Sequence, residues 1–321
     1  MPVVKNRRVQ NTRPHKLMRT LNLREFYDKR NKVLIFRGCG GLGDIFMHRM
    51  MFEDFKRLMP DAELHFACPK YYHDAVRDHP FVDQLLDAET VDKHSYIAFY
   101  NTTTACGRAE MKLAPLAGPN RSDIWAAHCG LLLTKHNMHI KMTEEERASG
   151  REIIDRHRDR VGPSVIISPI SAMHNKNMME HQVVGLVNGL RDMGMCPIGL
   201  HDQAIYAFLK NDFPAIGERN IRKWMAIIHE ADYIVSVDTA AFHCAGGMGK
   251  KTVGVFTFAN AHAYGCHYPN VQLLQGPCPF GYAGCYNWGT CPKPKEQDSL
   301  PCHSGITAEM ILDAVNKVVA K

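Results

Sequence analysis

Short apolar runs and amphipathic stretches alternate along almost the whole chain. The runs at 33–36 and 64–68 are short, rich in branched and aromatic side chains, and bounded by turn residues, so they predict buried strands, with further strands at 82–86 and 96–100. Residues 45–59 carry apolar side chains at helical spacing up to Pro60, residues 71–77 read as a short helix, and 124–133 as another. Thr143-Glu144-Glu145-Glu146 is a capping box that opens a charged helix running to about Arg160, where Gly162-Pro163 breaks it. A second series follows, with strands at 165–168, 197–200, 233–237 and 252–256 and helices at 179–193, 205–211, 221–230 and 241–249. An amphipathic helix is predicted at 308–319. Strand and helix in alternation imply parallel sheets covered on both faces, so the expectation is an α/β chain of two doubly wound halves divided near residue 160.

Composition narrows the class. A length of 321 residues suits two domains, and 45% hydrophobic with 22% charged residues excludes an intrinsically disordered chain. No apolar run is long enough for a membrane-spanning helix and the N-terminus has no signal-like apolar core, so the chain is expected in a cytoplasm. Most of the eleven cysteines, Cys68, Cys129, Cys196 and Cys244 among them, fall in predicted strands and helices and read as reduced, space-filling thiols. Residues 1–32 hold ten Lys and Arg against two Asp and Glu, so this arm carries +8 of the net +6 and the rest of the chain −2. Such an arm is either a solvated tail or an electrostatic contact for DNA or an anionic membrane surface.

Two turns carry candidate chemistry. Gly38, Gly40 and Gly43 formally match the G-x-G-x-x-G of dinucleotide binders, after a strand and before a helix. The acidic ribose ligand expected after the second strand is missing, because that strand runs into Pro69 and Lys70, and there is no Gly-Lys-Ser/Thr of a P-loop. The turn does place Asp44 at a helix N-terminus, as a cap or as a general base at the mouth of a cleft. The second turn follows the strand at 233–237 and delivers Asp238 and Thr239 at its carboxyl end, with His243 in the first turn of the next helix, where an open α/β sheet binds phosphate. His243 reads either as part of that site or as a locally bonded packing residue. Cys278, Cys285, Cys291 and Cys302 cluster near the C-terminus without a C-x2-C knuckle; free thiols, a disulfide and a structural zinc are all open, and Tyr286 and Trp288 in the same loop either cover the cleft or pack it.

Residues 232–256, DYIVSVDTAAFHCAGGMGKKTVGVF, resemble the nucleotide-sugar signature of the bacterial heptosyltransferases and their relatives in glycosyltransferase family 9. The stretch GGLGDIFMHRMMFEDFKRLMPDAELHF is similar to that family's Gly-Asp turn, long helix and second strand. The chain departs from the family pattern at Arg49-Met50, where a proline is usual, and at Ala240-Ala241, where Gly-Pro or a similar pair is usual. The resemblance implies a GT-B fold, two Rossmann-like doubly wound parallel-sheet domains facing across a cleft. The acceptor domain would span 33–160, the nucleotide-sugar domain 161–306 with a Cys-rich loop at 276–303, and a C-terminal helix 307–321. It further implies an inverting, metal-independent glycosyltransferase that needs no cofactor. Such an enzyme moves a heptose-like sugar from a nucleotide-sugar, ADP-linked by preference, to a hydroxyl of a glycan, lipid-linked glycan or lipopolysaccharide-type acceptor, in the cytoplasm or at the inner membrane face. In that reading Asp44 is the base and Lys176 binds phosphate, with Gly41, Gly43, Ser171, His174, Asp238, Thr239, Ala240 and His243 around the nucleotide-sugar. Two other readings are transfer to hydroxylated bases in DNA and a non-catalytic nucleotide or nucleic-acid binding protein of the same fold.

Overall fold

The computed structural model describes residues 31–113, 118–201, 214–257, 259–278 and 300–320. The basic arm up to residue 30, the helix expected at 205–211, and Cys285, Tyr286, Trp288 and Cys291 lie outside the described residues.

The first sheet is built from β1 (Lys32–Phe36), β2 (Glu63–Cys68), β3 (Gln84–Asp87) and β4 (Ala98–Asn101), in the order β3-β2-β1-β4 and parallel throughout. It carries the helices α1 (Leu42–Leu58), α2 (Ala105–Leu113) and α3 (Arg121–His128). Helix α4 (Glu144–Arg156) opens with the expected capping box, Thr143 and Glu146 each bonding the other's backbone N–H. The second sheet runs β10-β9-β8-β5-β6-β7, also parallel. Its strands are β5 (Ser164–Ser168), β6 (Cys196–Leu200), β7 (Ala215–Ile216), β8 (Tyr233–Val237), β9 (Thr252–Phe256) and β10 (Val271–Gln275). Its α-helices are α5 (Glu180–Asp192), α6 (Ile221–Glu230), α7 (Ala240–Gly247), α8 (Ala261–Gly265), α9 (Pro301–Ser304) and α10 (Ala308–Val319). The two parallel-sheet halves expected from the sequence are therefore present, and no helix among the described residues is long and apolar enough to cross a membrane.

Several elements depart from the reading of the sequence. The short helix at 71–77 is a 3-10 turn over Lys70–Ala75. Helix α3 starts earlier than expected because the Asn120 side chain accepts from the Ser122 N–H, and it stops by Gly130, which sits at φ +74°. Strand β10 was not read at all; each of its five residues is half-buried, which leaves no alternation to recognise.

Strand order fixes where a ligand can sit. In the first sheet the connections diverge at β1, with β2 on one side and β4 on the other; in the second they diverge between β5, which leads to β6, and β8. The carboxyl ends at such divergences form the natural crevices of open α/β sheets. One apolar core joins Phe46, Phe52 and Phe66 of the first half to Met225, Phe242 and Phe256 of the second. A separate core, including Val165, Val235, Leu186 and Val315, lies between the second sheet and helices α5 and α10.

A charge is also buried between the halves. Arg49 on α1 is fully buried and does not face a ligand-binding turn. Its guanidinium grips Asp78 in a fork (2.9 and 3.2 Å) and donates to the carbonyls of Ala75, Met138 and His139 (2.6, 2.7 and 2.8 Å). Asp78 also faces Arg222 of α6 at 3.3 Å, and Arg222 binds both oxygens of Glu146 at 2.7 and 2.6 Å. Asp78→Ala would leave Arg49 charged in the core without its counter-ion, so a stability loss of about 3–5 kcal/mol is expected in denaturant unfolding. A loss under about 1 kcal/mol would mean that the surrounding carbonyls alone satisfy the guanidinium.

Candidate active site

The glycine turn after β1 is shaped around a carboxylate. Asp44 lies in the first turn of α1, whose N-cap is Gly41 with no side-chain cap, so Asp44 is a helical residue and not the cap. Its Oδ2 accepts from Arg37 Nη2 at 2.5 Å and its Oδ1 from Arg121 Nη1 at 3.2 Å. Arg37 is held in turn by the carbonyls of Thr102 and Thr103 at 3.1 and 2.8 Å. Arg121 forks onto Glu110 at 2.7 and 2.9 Å and lies over the Tyr264 ring, 4.8 Å from its centroid. Burial alone would raise the pKa of Asp44, but Arg121 and Arg37 outweigh it and hold the carboxyl below the usual carboxylate range. Asp44 is therefore ionised and still has lone pairs free towards the cleft. His48, one turn on, donates from Nδ1 to the Asp44 carbonyl at 2.7 Å, and burial followed by Arg37 pushes its pKa down to about 3, so the ring is neutral.

Two of the glycines are fitted to this arrangement. Gly40 has φ +128°, and a Cβ there would fall on the Arg37 guanidinium and 2.8 Å from Asp44 Oδ2. A Cβ on Gly43 would lie 2.9 Å from His243 Cδ2 and 3.6 Å from the backbone nitrogen of Ala240. Gly43 is thus the point where the N-terminus of α1 meets that of α7.

Across the cleft the second half supplies the opposite balance. Thr239 is the extended N-cap of α7 and makes no side-chain cap bond, so the helix presents its N-terminal end to the cleft. Asp238 is only 5% exposed and pairs with Lys176 Nζ at 2.7 Å and with His243 Nε2 at 3.5 Å. With Nε2–H turned to Asp238, His243 Nδ1 accepts from the Tyr268 hydroxyl at 2.8 Å. Burial opposes the charge on Asp238, but Lys176 and His243 bring its pKa well below normal. The loop carrying Lys176 is fastened by its Asn175 carbonyl, which accepts from Thr257 Oγ1 at 2.8 Å and from the His303 ring.

A cavity of about 330 Å³ lies between these groups. It is lined by Gly41, Gly43 and Asp44 from the first half and by Ser171, Lys176, Asp238, Thr239, Ala240 and His243 from the second. His174, expected in the same set, is exposed and does not line it. Reading the sequence missed Arg37, Arg121, Tyr72 and Tyr264. Arg37 had one available signal, its place between a buried strand and the glycine turn; Arg121 had none, because Glu110 and Asp44 reach it only through the fold.

Comparison with known proteins bears on the fold and the family resemblance. Residues 201–276, which include the β8–α7 turn, match glycosyltransferase family 9 (heptosyltransferase). No curated protein matches the sequence. Among solved structures, the chain is similar to a family 9 glycosyl transferase from Veillonella parvula, with 12% identity and a TM-score of 0.70, covering 91% of this chain and 98% of that one. It is also similar to the E. coli ADP-heptose lipopolysaccharide heptosyltransferase II, with 14% identity, a TM-score of 0.64 and coverage of 90% and 98%. A third, the iron-containing dodecameric glycosyltransferase TibC of enterotoxigenic E. coli, shares 14% identity at a TM-score of 0.66, with coverage of 91% and 77%. The expected GT-B-type fold and the resemblance to family 9 are borne out.

The turn's geometry makes a paired prediction. Gly40→Ala forces a side chain into left-handed backbone and onto the Arg37–Asp44 pair, and should lower stability by about 1–3 kcal/mol. Gly41→Ala, where nothing lies within 4 Å of the new methyl, should be near neutral. Denaturant midpoints of the two variants check this.

Proposed function

We propose that this chain is an inverting glycosyltransferase that moves a heptose-like sugar from a nucleoside-diphosphate-sugar, ADP-linked as in its structural relatives, to a hydroxyl of a glycan or lipid-linked glycan acceptor. One observation supports the reading above the others: the cleft sets an ionised carboxylate, Asp44, across from a lysine and a helix N-terminus, Lys176 and the start of α7. Inverting transfer needs that division of charge. The acceptor hydroxyl must lose a proton as its oxygen attacks the anomeric carbon, and the departing diphosphate must be stabilised on the opposite side.

Asp44 is the base in this reading. Two arginines make it a weak one, which suits a proton that becomes acidic only as the new C–O bond forms. Arg37 and Arg121 orient the carboxylate and keep it charged before the acceptor arrives. Lys176 takes the diphosphate, exchanging part of its contact with Asp238 for phosphate oxygens, and the N–H groups of Ala240 and Ala241 supply further donors. Asp238, buried behind Lys176 and His243, positions both side chains. No step of this reaction is assigned to a metal ion. We place the activity in the cytoplasm; the buried thiols of Cys68, Cys106, Cys129, Cys196 and Cys244, all free, suit a reducing compartment.

Calorimetric titration with ADP and ADP-sugars tests the donor half. Lys176→Ala should weaken binding about tenfold or more. Asp44→Asn should retain it while losing about 10²–10⁴-fold in turnover. Failure of the wild-type protein to bind any nucleoside diphosphate would sink the reading. The base assignment has its own check in the pH profile. Arg121→Gln removes one of the charges that hold Asp44 down, so its pKa rises and the acid limb of kcat/KM should move to higher pH; an unmoved limb would exclude Asp44 as the titrating base.

A further inference from the structure

Beside the cleft, outside the machinery assigned above, three ligand-type side chains converge. Asp123 lies on α3, His136 in the loop after it, and His267 just past α8. His136 Nε2 lies 2.8 Å from Asp123 Oδ1 and His267 Nε2 lies 2.8 Å from Asp123 Oδ2. The two imidazole rings are stacked, 3.4 Å between centroids and 19° from parallel. One donor atom from each of the three residues falls within 4.8 Å of the others.

The arrangement is an unlikely resting place for three ordinary side chains. Aromatic rings left to themselves settle offset or edge-on, with centroids about 4.5–7 Å apart. Each Nε2 is turned onto a different oxygen of the same carboxylate, so both rings present that nitrogen to one small volume. His136 moreover holds φ +50°, a left-handed backbone that costs a branched-ring residue about 1 kcal/mol or more. A shared cation resolves these conflicts together. It accepts the lone pair of each Nε2 and one carboxylate oxygen, the three kinds of ligand atom that already lie within 4.8 Å of one another, and the rings need only tilt apart to aim both lone pairs at it.

We propose that Asp123, His136 and His267 bind one divalent transition-metal ion of the zinc, ferrous or cobaltous class. Two imidazole nitrogens with one carboxylate select such borderline ions over magnesium and calcium, which prefer all-oxygen sites, and leave positions for water. The ring of His267 is also hydrogen-bonded to the Cys266 thiol, the kind of outer contact that fixes a ligating imidazole.

The position gives the ion a task. Asp123 and His136 belong to the first half of the chain and His267 to the second, so the ion clasps the halves together. It sits two residues from Arg121 along α3 and three from Tyr264 in the chain segment past α8, the pair that walls the cleft beside Asp44. Its role is to position that wall; it is not assigned to the transfer step, and the site stands whether or not the transferase reading holds.

The test uses the full chain, stripped with chelator and titrated with Co²⁺. One equivalent should bind, giving visible d–d bands without a sulfur-to-cobalt charge-transfer band, and should raise the thermal midpoint. His136→Ala and His267→Ala should each weaken Co²⁺ binding roughly a hundredfold and abolish the thermal shift. Asp123→Asn, which keeps the side-chain shape, serves as the check should either histidine variant fail to fold. A thiolate charge-transfer band that persists in these variants would place the ion on cysteines and overturn the proposal. So would the absence of binding at about millimolar Co²⁺, or binding that the substitutions leave unchanged.

Discussion

Asp78 is the counter-ion on which the two halves of this molecule depend. Its carboxylate meets Arg49, which is sealed in the core of the first half, and Arg222, which arrives from the second. Neither guanidinium can be neutralised by losing a proton, so each must find oxygen acceptors wherever the chain places it. Met138 and His139 supply carbonyls to Arg49, and Lys141 supplies one to Arg222. The connecting segment is therefore routed past both, and the two halves are tied by guanidiniums that each hold several oxygen acceptors at once. Helix α4 extends the same tie, with Glu146 gripping Arg222 while Arg147 and Arg151 close on Glu230 of α6.

The cleft inherits that fixed orientation and fills it with charges balanced in pairs. On one wall a carboxylate is flanked by arginines; on the other a carboxylate is flanked by a lysine and a histidine. Each carboxylate is buried enough that desolvation alone would favour its neutral form, and in each case the neighbouring cations reverse the outcome. The difference between the walls is which member of the pair faces the cavity. Asp44 keeps acceptor capacity towards it, whereas Asp238 recedes behind Lys176. A ligand thus meets a negative group on one side and positive groups on the other.

Much of this was legible in the sequence because it is encoded locally. The strand–turn–helix periods, the capping box at Thr143 and the Asp238–Thr239 turn each depend on residues within one or two turns of one another. Asp44 was found through such a turn, and Lys176 through the family resemblance. Arg37, Arg121 and Tyr264 were not, because their meaning rests on contacts across 7 to more than 100 positions of chain that no local pattern reports. The burial of Arg49 is hidden for the related reason that its partners Asp78, Met138 and His139 lie far along the chain. The G-x-G-x-x-G spacing shows the converse: a genuine local pattern in which Gly40 and Gly43 are needed for Arg37 and for α7, so that spacing alone does not name a ligand.

The contact at Gly43 also sets the width of the cleft. Helices α1 and α7 already touch there, with the histidine ring of one half lying where a methyl on the other would be. A side chain of any size at that position would push the two helix ends apart, so the spacing of the cleft walls is gauged by a residue that has none.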